Sequence, residues 1–148
     1  MTPAEATEPP GVGITHHRVN YSETDQMGVV YHARYLVWFD VARTELLRAT
    51  GVSYRDLEEL GLRLAVSEVQ VRYRRSARYD DLIRVRCWIR DRASRRVTFG
   101  YAVEHEATGD LLATATTALL VLDADFAFAR LPAAVADRLV SIPDPVRL

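Results

Sequence analysis

The residues whose types and spacing could do chemistry lie in one stretch, Asp25-Gln26-Met27-Gly28-Val29-Val30-Tyr31-His32-Ala33-Arg34-Tyr35. A carboxylate stands just before a glycine, and a long apolar run follows the glycine. The run predicts a helix that opens after Gly28. The first amides of a helix lack intrahelical partners and sit at the positive end of its dipole. Such amides hold an anion, or a carbonyl oxygen on its way to becoming one. Gly28 would let a ligand approach the backbone closely. Asp25 would stand beside that point as a base or a nucleophile. In outline this is an arrangement for acyl transfer. On spacing alone, Asp25 fits equally well as a plain helix N-cap.

His32 has three readings: a ring that donates to a carbonyl or a water, a position that acts only through its backbone amide, or a packed core histidine. Tyr31 and Tyr35 read as pocket walls or as proton donors. His16, His17 and His105 form no metal motif with His32, and neither HExxH nor a Cys/His cluster occurs. All 19 basic residues are arginines, so a phosphate or carboxylate partner would meet guanidinium forks. The arginines gather at Arg72, Arg74, Arg75 and Arg78, again at Arg92, Arg95 and Arg96, and singly at Arg130. A solvated, salt-bridged hairpin face is the plain alternative for each group.

These residues need elements to hold them. Ile14 to Tyr21 predicts a strand, and Ser22 to Gly28 a turn. Val29 to Thr50 predicts a long helix, apolar on more than one side and therefore buried, with Gly51 as its stop. Ser53 caps a shorter helix that ends at Gly61. Leu62, Leu64 and Val66 alternate, then Val69, Val71 and Tyr73 alternate on the other phase. That switch near Ser67-Glu68 predicts a β-bulge. Two further alternating runs follow, at Ile83–Ile89 and Val97–Val103. Leu111 to Leu122 is apolar almost throughout, a strand with both faces covered. Pro132 opens a short helix over Ala133–Leu139. Consecutive strands joined by short turns make an antiparallel sheet, and one sheet and one apolar helix must bury each other. The architecture expected is α+β, with residues 1–13 a flexible tail and 14–148 a single domain.

With 148 residues, the chain fits one domain with a core of its own. Its composition, 49% hydrophobic and 26% charged, argues against disorder and against a membrane protein. A net charge of −1 gives no general nucleic-acid affinity. Cys87 is the single cysteine, which excludes an internal disulfide and fits a reducing, cytoplasmic setting. The Pro/Glu/Thr-rich start does not read as a signal peptide, and no stretch approaches a membrane span.

The string Asp25 to Tyr35, continuing through Ala42-Arg43-Thr44-Glu45 to Gly51, resembles the hotdog-fold acyl-CoA thioesterases. The nearest group is the 4-hydroxybenzoyl-CoA thioesterase family, in its branch of small thioesterases associated with the Tol–Pal system. Val71 to Leu82, Leu119 to Asp123 and Arg130 to Pro132 match as well, so the resemblance spans about Val19 to Leu139. Ser76 departs from it, standing where the family usually has proline.

The resemblance implies a hotdog fold, a five-stranded antiparallel sheet wrapped around one long helix. It implies hydrolysis of an acyl-CoA thioester, with Asp25 as the catalytic acid residue and the amide at His32 polarising the thioester carbonyl. Tyr31 joins them as a candidate. Gly28, Val30, Tyr35, Arg74, Arg75, Ser76, Arg95 and Arg96 are candidates for binding substrate. Coenzyme A is then part of the substrate, and no metal or separate cofactor is implied. Sites in this family lie at dimer interfaces, so a homo-oligomer, a dimer or tetramer, is expected. A thioesterase acting on a carrier-protein-bound acyl group and a non-catalytic acyl-CoA-binding hotdog are the alternatives. A hotdog hydratase would need Asp-x4-His, whereas Asp25 and His32 are seven apart. The acyl group, aromatic or aliphatic, is not legible.

Overall fold

The structure, a computed structural model, describes residues 8–148. Most of the expected tail falls outside that range. Of the rest, Glu8 pairs with Arg86 at 2.9 Å, and Gly13 already opens the first strand. That strand is β1, Gly13–Arg18, followed by a 3-10 turn at Tyr21–Glu23. Helix α1, Arg34–Ala49, and helix α2, Tyr54–Glu59, come next. Strands β2 (Arg63–Tyr73), β3 (Leu82–Arg92), β4 (Arg96–His105) and β5 (Leu111–Leu122) then follow, with a short α3 at Ala133–Ala136.

The strands form one antiparallel sheet in the order β1-β3-β4-β5-β2. Connections between β3, β4 and β5 are tight turns, which places these strands side by side in the centre. Strands β1 and β2 are left as edges. The β2–β5 register shifts between Val66 and Glu68, where the apolar alternation changes phase. Ser53 caps α2 by accepting from the Asp56 amide, and Asp56 answers to the Ser53 amide. No position along β5 is exposed.

Helix α1 lies on the inner face of the sheet against β1 and β3. Tyr35, Trp38, Phe39, Ala42, Leu46 and Leu47 are its buried apolar residues on helical spacing. They meet Val85, Cys87, Phe99, Tyr101, Ala115 and Leu119 in one continuous core. Each large side chain buried there contributes roughly 1.5–3 kcal/mol.

Four expectations need correction. The first strand ends at Arg18, not Tyr21, because Asn20–Glu23 closes a capping box in which the Asn20 amide donates to Glu23. The long helix starts at Arg34, not after Gly28. The Val30 amide is taken by the Ala77 carbonyl and the Tyr31 amide by the Glu23 carbonyl, so residues 29–31 stay outside the helix, with Val30 bridged to Thr24. Helix α1 is not buried all round, since Leu36, Val37 and Val41 form an exposed ridge. The terminal helix stops at Ala136, because the next bonds, from Arg138 to Val135 and from Leu139 to Ala136, span three residues.

The chain's end crosses the outer face of the sheet. The Ile142 amide donates to the Ile89 carbonyl. Asp144 accepts from Trp88 Nε1 at 2.9 Å and from Arg90 at 3.1 Å. Trp88 lies flat over Gly100, whose missing side chain makes room for the indole.

Candidate active site

Asp25 sits at the head of a small hairpin-like loop. Thr24 and Val30 form a bridge pair, and the Asp25 amide donates to the Val29 carbonyl at 2.9 Å. Inside the loop the Gly28 amide donates to the Asp25 carbonyl at 3.0 Å. Gly28 has φ +77, a conformation an L side chain rarely adopts, which is what the reversal requires. Gly28 is therefore a turn residue and not the mouth of a helix. One Asp25 carboxylate oxygen accepts from the Met27 amide at 2.9 Å, an Asx-turn that fixes the side chain. Among the described residues the other oxygen has no protein partner.

The next stretch leads into α1. The Tyr31 carbonyl accepts from the Arg34 amide at 2.9 Å. The His32 carbonyl accepts from the Tyr73 hydroxyl at 2.7 Å. No acceptor within the chain meets the His32 amide among the described residues. A held N–H with no protein acceptor is the kind of donor that can stabilise a developing oxyanion.

Asp25 and His32 both line one cleft of about 250 Å³. Asp25, Met27, Val29, Val30 and His32 line one side. Tyr35 and the β2 end, Tyr73, Arg74, Arg75 and Ser76, line the other. Tyr35 is buried, and its hydroxyl accepts from the Ala77 amide at 3.2 Å. Burial holds the Tyr35 and Tyr73 phenols above their ordinary pKa. Tyr73 therefore stays a protonated donor, and Tyr35 is a wall tied into the fold. Arg75 pairs with Asp110 at 3.2 Å, both exposed. Arg74 meets no carboxylate among the described residues.

Beneath the loop lies Glu23, which is buried. It accepts from His17 Nε2 at 2.6 Å, from the Asn20 amide at 2.8 Å and from Trp38 Nε1 at 2.8 Å. Burial raises its pKa, but the Asn20 amide, the His17 ring and the Trp38 indole outweigh burial and hold it below its ordinary value.

Of the residues singled out in the sequence, Asp25, Val30, His32, Tyr35, Arg74, Arg75 and Ser76 come together at the cleft. Tyr31 does not line it; its ring lies tilted against His32, the centroids 4.4 Å apart. Arg95 and Arg96 lie at the β3–β4 turn, where the Arg95 carbonyl accepts from the Val121 amide. In the sheet that is the Arg63 end of β2, opposite Tyr73. Three contributors escaped the sequence reading of the site: Tyr73, Val29 and Glu23. Tyr73 was legible as the last alternating residue of β2, but its bond to His32 was not. No group of three or more His, Cys, Asp or Glu among the described residues is placed to hold a metal.

The family model of the thioesterase-like superfamily matches residues 19–145. A protein of Bacillus subtilis, "Putative acyl-CoA thioesterase YneP", is 38% identical over 105 residues, 71% of this chain and 75% of that one. The acyl-CoA thioesterase YbgC of Haemophilus influenzae is 46% identical over 69 residues, 46% of this chain and 51% of that one. Among solved structures, the DHNA-CoA thioesterase of Staphylococcus aureus superposes with a TM-score of 0.77 at 35% identity, covering 81% of this chain and 80% of its own. A hypothetical protein of Thermus thermophilus gives 0.81 at 35% identity, covering 86% and 96%. Sheet and helix are those of the hotdog fold, and the relatives place the chain among thioester hydrolases. The chain belongs to the thioesterase-like superfamily.

Proposed function

We propose that this protein hydrolyses an acyl-CoA thioester to the free acid and coenzyme A, and that Asp25 and the His32 amide carry the reaction. The observation that carries this reading is that Asp25, with one carboxylate oxygen unpartnered among the described residues, lines the same cleft as His32, whose backbone amide meets no acceptor among them. The thioester carbonyl would accept from the His32 N–H. One such donor is worth about 2.7–4 kcal/mol to the transition state. The free Asp25 oxygen either attacks the carbonyl carbon, giving an anhydride that water then opens, or takes a proton from the water that attacks. In both routes the C–S bond breaks and the coenzyme leaves as a thiolate; the water consumed gives its OH to the acid and its other proton to the sulfur. The names of relatives at 38% and 35% identity support the acyl-CoA class. The motif from Asp25 to Tyr35 supports the Tol–Pal-associated branch.

Arg74, Arg75 and Ser76 stand at the rim and suit the coenzyme's phosphates. Two features support an assembly of at least two copies. Among the described residues no strand pairs with the outer edge of β2, with Val66, Val69 and Tyr73 exposed along it, and the α1 ridge at Leu36, Val37 and Val41 is apolar. Antiparallel pairing of two β2 edges would bring one copy's Arg63 end, with Arg95 and Arg96, toward the other's Tyr73 end. We read the assembly as a dimer or tetramer on this basis. A cytoplasmic setting is supported by the lone buried thiol of Cys87. Among the described residues no helix is long and apolar enough to cross a membrane.

The test is thiol release from acyl-CoAs running from acetyl to palmitoyl, with benzoyl and 4-hydroxybenzoyl included. Turnover that ranks these substrates is expected. Cleavage of an acyl-carrier protein with no acyl-CoA turned over would replace coenzyme A by a carrier, and no turnover of either would leave a binding role.

A further inference from the structure

We propose that Glu23 is the positioning residue of this site: its buried carboxylate fastens the loop bearing Asp25 and the His32 amide to β1 and α1, and turnover depends on that fastening. The inference rests on the reading that Asp25 and the His32 amide do the chemistry.

Glu23 touches no part of the cleft, yet both reacting groups hang from it. Its side chain grips the fixed frame. Oε1 accepts from His17 on β1 at 2.6 Å and from the Asn20 amide at 2.8 Å, and Oε2 accepts from Trp38 on α1 at 2.8 Å. Its backbone grips the loop, because the Glu23 carbonyl accepts from the Tyr31 amide at 2.8 Å. Tyr31 immediately precedes His32, and Asp25 lies two residues after Glu23. One residue thus sets the separation between the carboxylate and the amide.

A buried carboxylate is costly unless its oxygens are satisfied, and here three donors from three segments satisfy them. A glutamine has one oxygen and cannot accept from all three. Its NH2 would face a donor, either the indole N–H or the Asn20 amide. The frame would then shift under the loop, and an ångström-scale misplacement of reacting groups costs about 10²-fold in rate. The substrate's own contacts, on Arg74, Arg75 and the cleft walls, are untouched. The expected signature is therefore a fall in kcat with KM little changed. A residue that merely stabilised the fold would lower the amount of active protein and leave kcat per folded molecule alone.

The experiment compares native protein with Glu23→Gln, Trp38→Phe, His17→Leu and His17→Gln, each scaled to folded protein, on whichever acyl-CoA the native enzyme turns over best. Glu23→Gln is expected to lower kcat at least tenfold, with KM within about threefold. His17→Leu and Trp38→Phe should each lower kcat severalfold. His17→Gln, which keeps an N–H donor, should restore most of the loss. Hydrogen exchange supplies a readout that needs no turnover: the Tyr31 amide should exchange faster in these variants while amides of Tyr101 to Val103 keep native protection. If Glu23→Gln does not fold, the Trp38 and His17 variants decide in the same way. Native kcat and native Tyr31 protection in the folded variants would overturn the inference. Full activity of Asp25→Asn would overturn the catalytic reading instead, and the exchange result would still report on the fastening.

Discussion

The Tyr73 hydroxyl donates to the His32 carbonyl at 2.7 Å. This bond ties the end of edge strand β2 to the segment that enters α1. The Tyr31 carbonyl is held by the Arg34 amide on the other side. The His32 amide is thereby fixed from both directions while its own hydrogen stays free for a ligand. Burial keeps the Tyr73 phenol above its ordinary pKa, so the donor survives through mildly alkaline pH.

Tyr73→Phe should keep the fold and lose this one bond. The expected cost is about 0.5–1 kcal/mol in urea unfolding, the low end for a half-exposed hydrogen bond. The expected kinetic effect is a severalfold fall in kcat, as the His32 segment gains freedom. Unchanged kcat would mean that the helix start alone holds the amide.

Glu23 makes stability depend on pH in a defined direction. Its folded pKa is lowered, so the unfolded chain binds the proton more readily. Its contribution is fully present above the unfolded value of about 4.3 and is lost as pH falls through the folded value. Native protein should exceed Glu23→Gln by about 1.5–3 kcal/mol at pH 7, the range for hydrogen bonds to a charged group. The gap should close in unfolding curves recorded well below pH 4. A gap independent of pH would show that the carboxylate's charge is not what the donors hold.

Gly100→Ala probes the outer face. A Cβ there would lie 2.5 Å from the Trp88 ring. The indole would have to lift, pulling on its bond to Asp144 and on the terminal segment. Overpacking of this kind costs about 1–3 kcal/mol, read as a lower denaturation midpoint with an unchanged m-value. The cleft lies elsewhere, so kcat should not change.

Most of the fold was legible because its signals are local. The phase switch from Leu62, Leu64 and Val66 to Val69, Val71 and Tyr73 marked the β2 bulge, and Ser53 marked the start of α2. The helix start was misplaced because what keeps residues 29–31 out of the helix lies outside that run: the Ala77 carbonyl for Val30, and the Glu23 carbonyl for Tyr31. Glu23 was missed for the same reason, since its partners sit on β1 and α1 and no periodicity connects them. The terminal segment escaped because Ile142 and Asp144 carry no pattern, and their role exists only against Trp88 and Ile89. Asp25 and His32 were legible as a pair. That Asp25 sits on a hairpin-like loop, and not at a helix mouth, was visible only in the fold.

The most direct measurement is thiol release by native protein and Asp25→Asn on the same acyl-CoA. Cys87 is fully buried with its thiol pKa pushed up by burial, so it adds no background while the protein is folded. Circular dichroism of both proteins should coincide, because the side-chain amide oxygen that replaces the carboxylate can still accept from the Met27 amide. With the carboxylate gone, kcat/KM should fall about 10²–10⁴-fold, the range for a positioned acid–base group. Equal kcat/KM in the two proteins would contradict the assignment of the chemistry to Asp25.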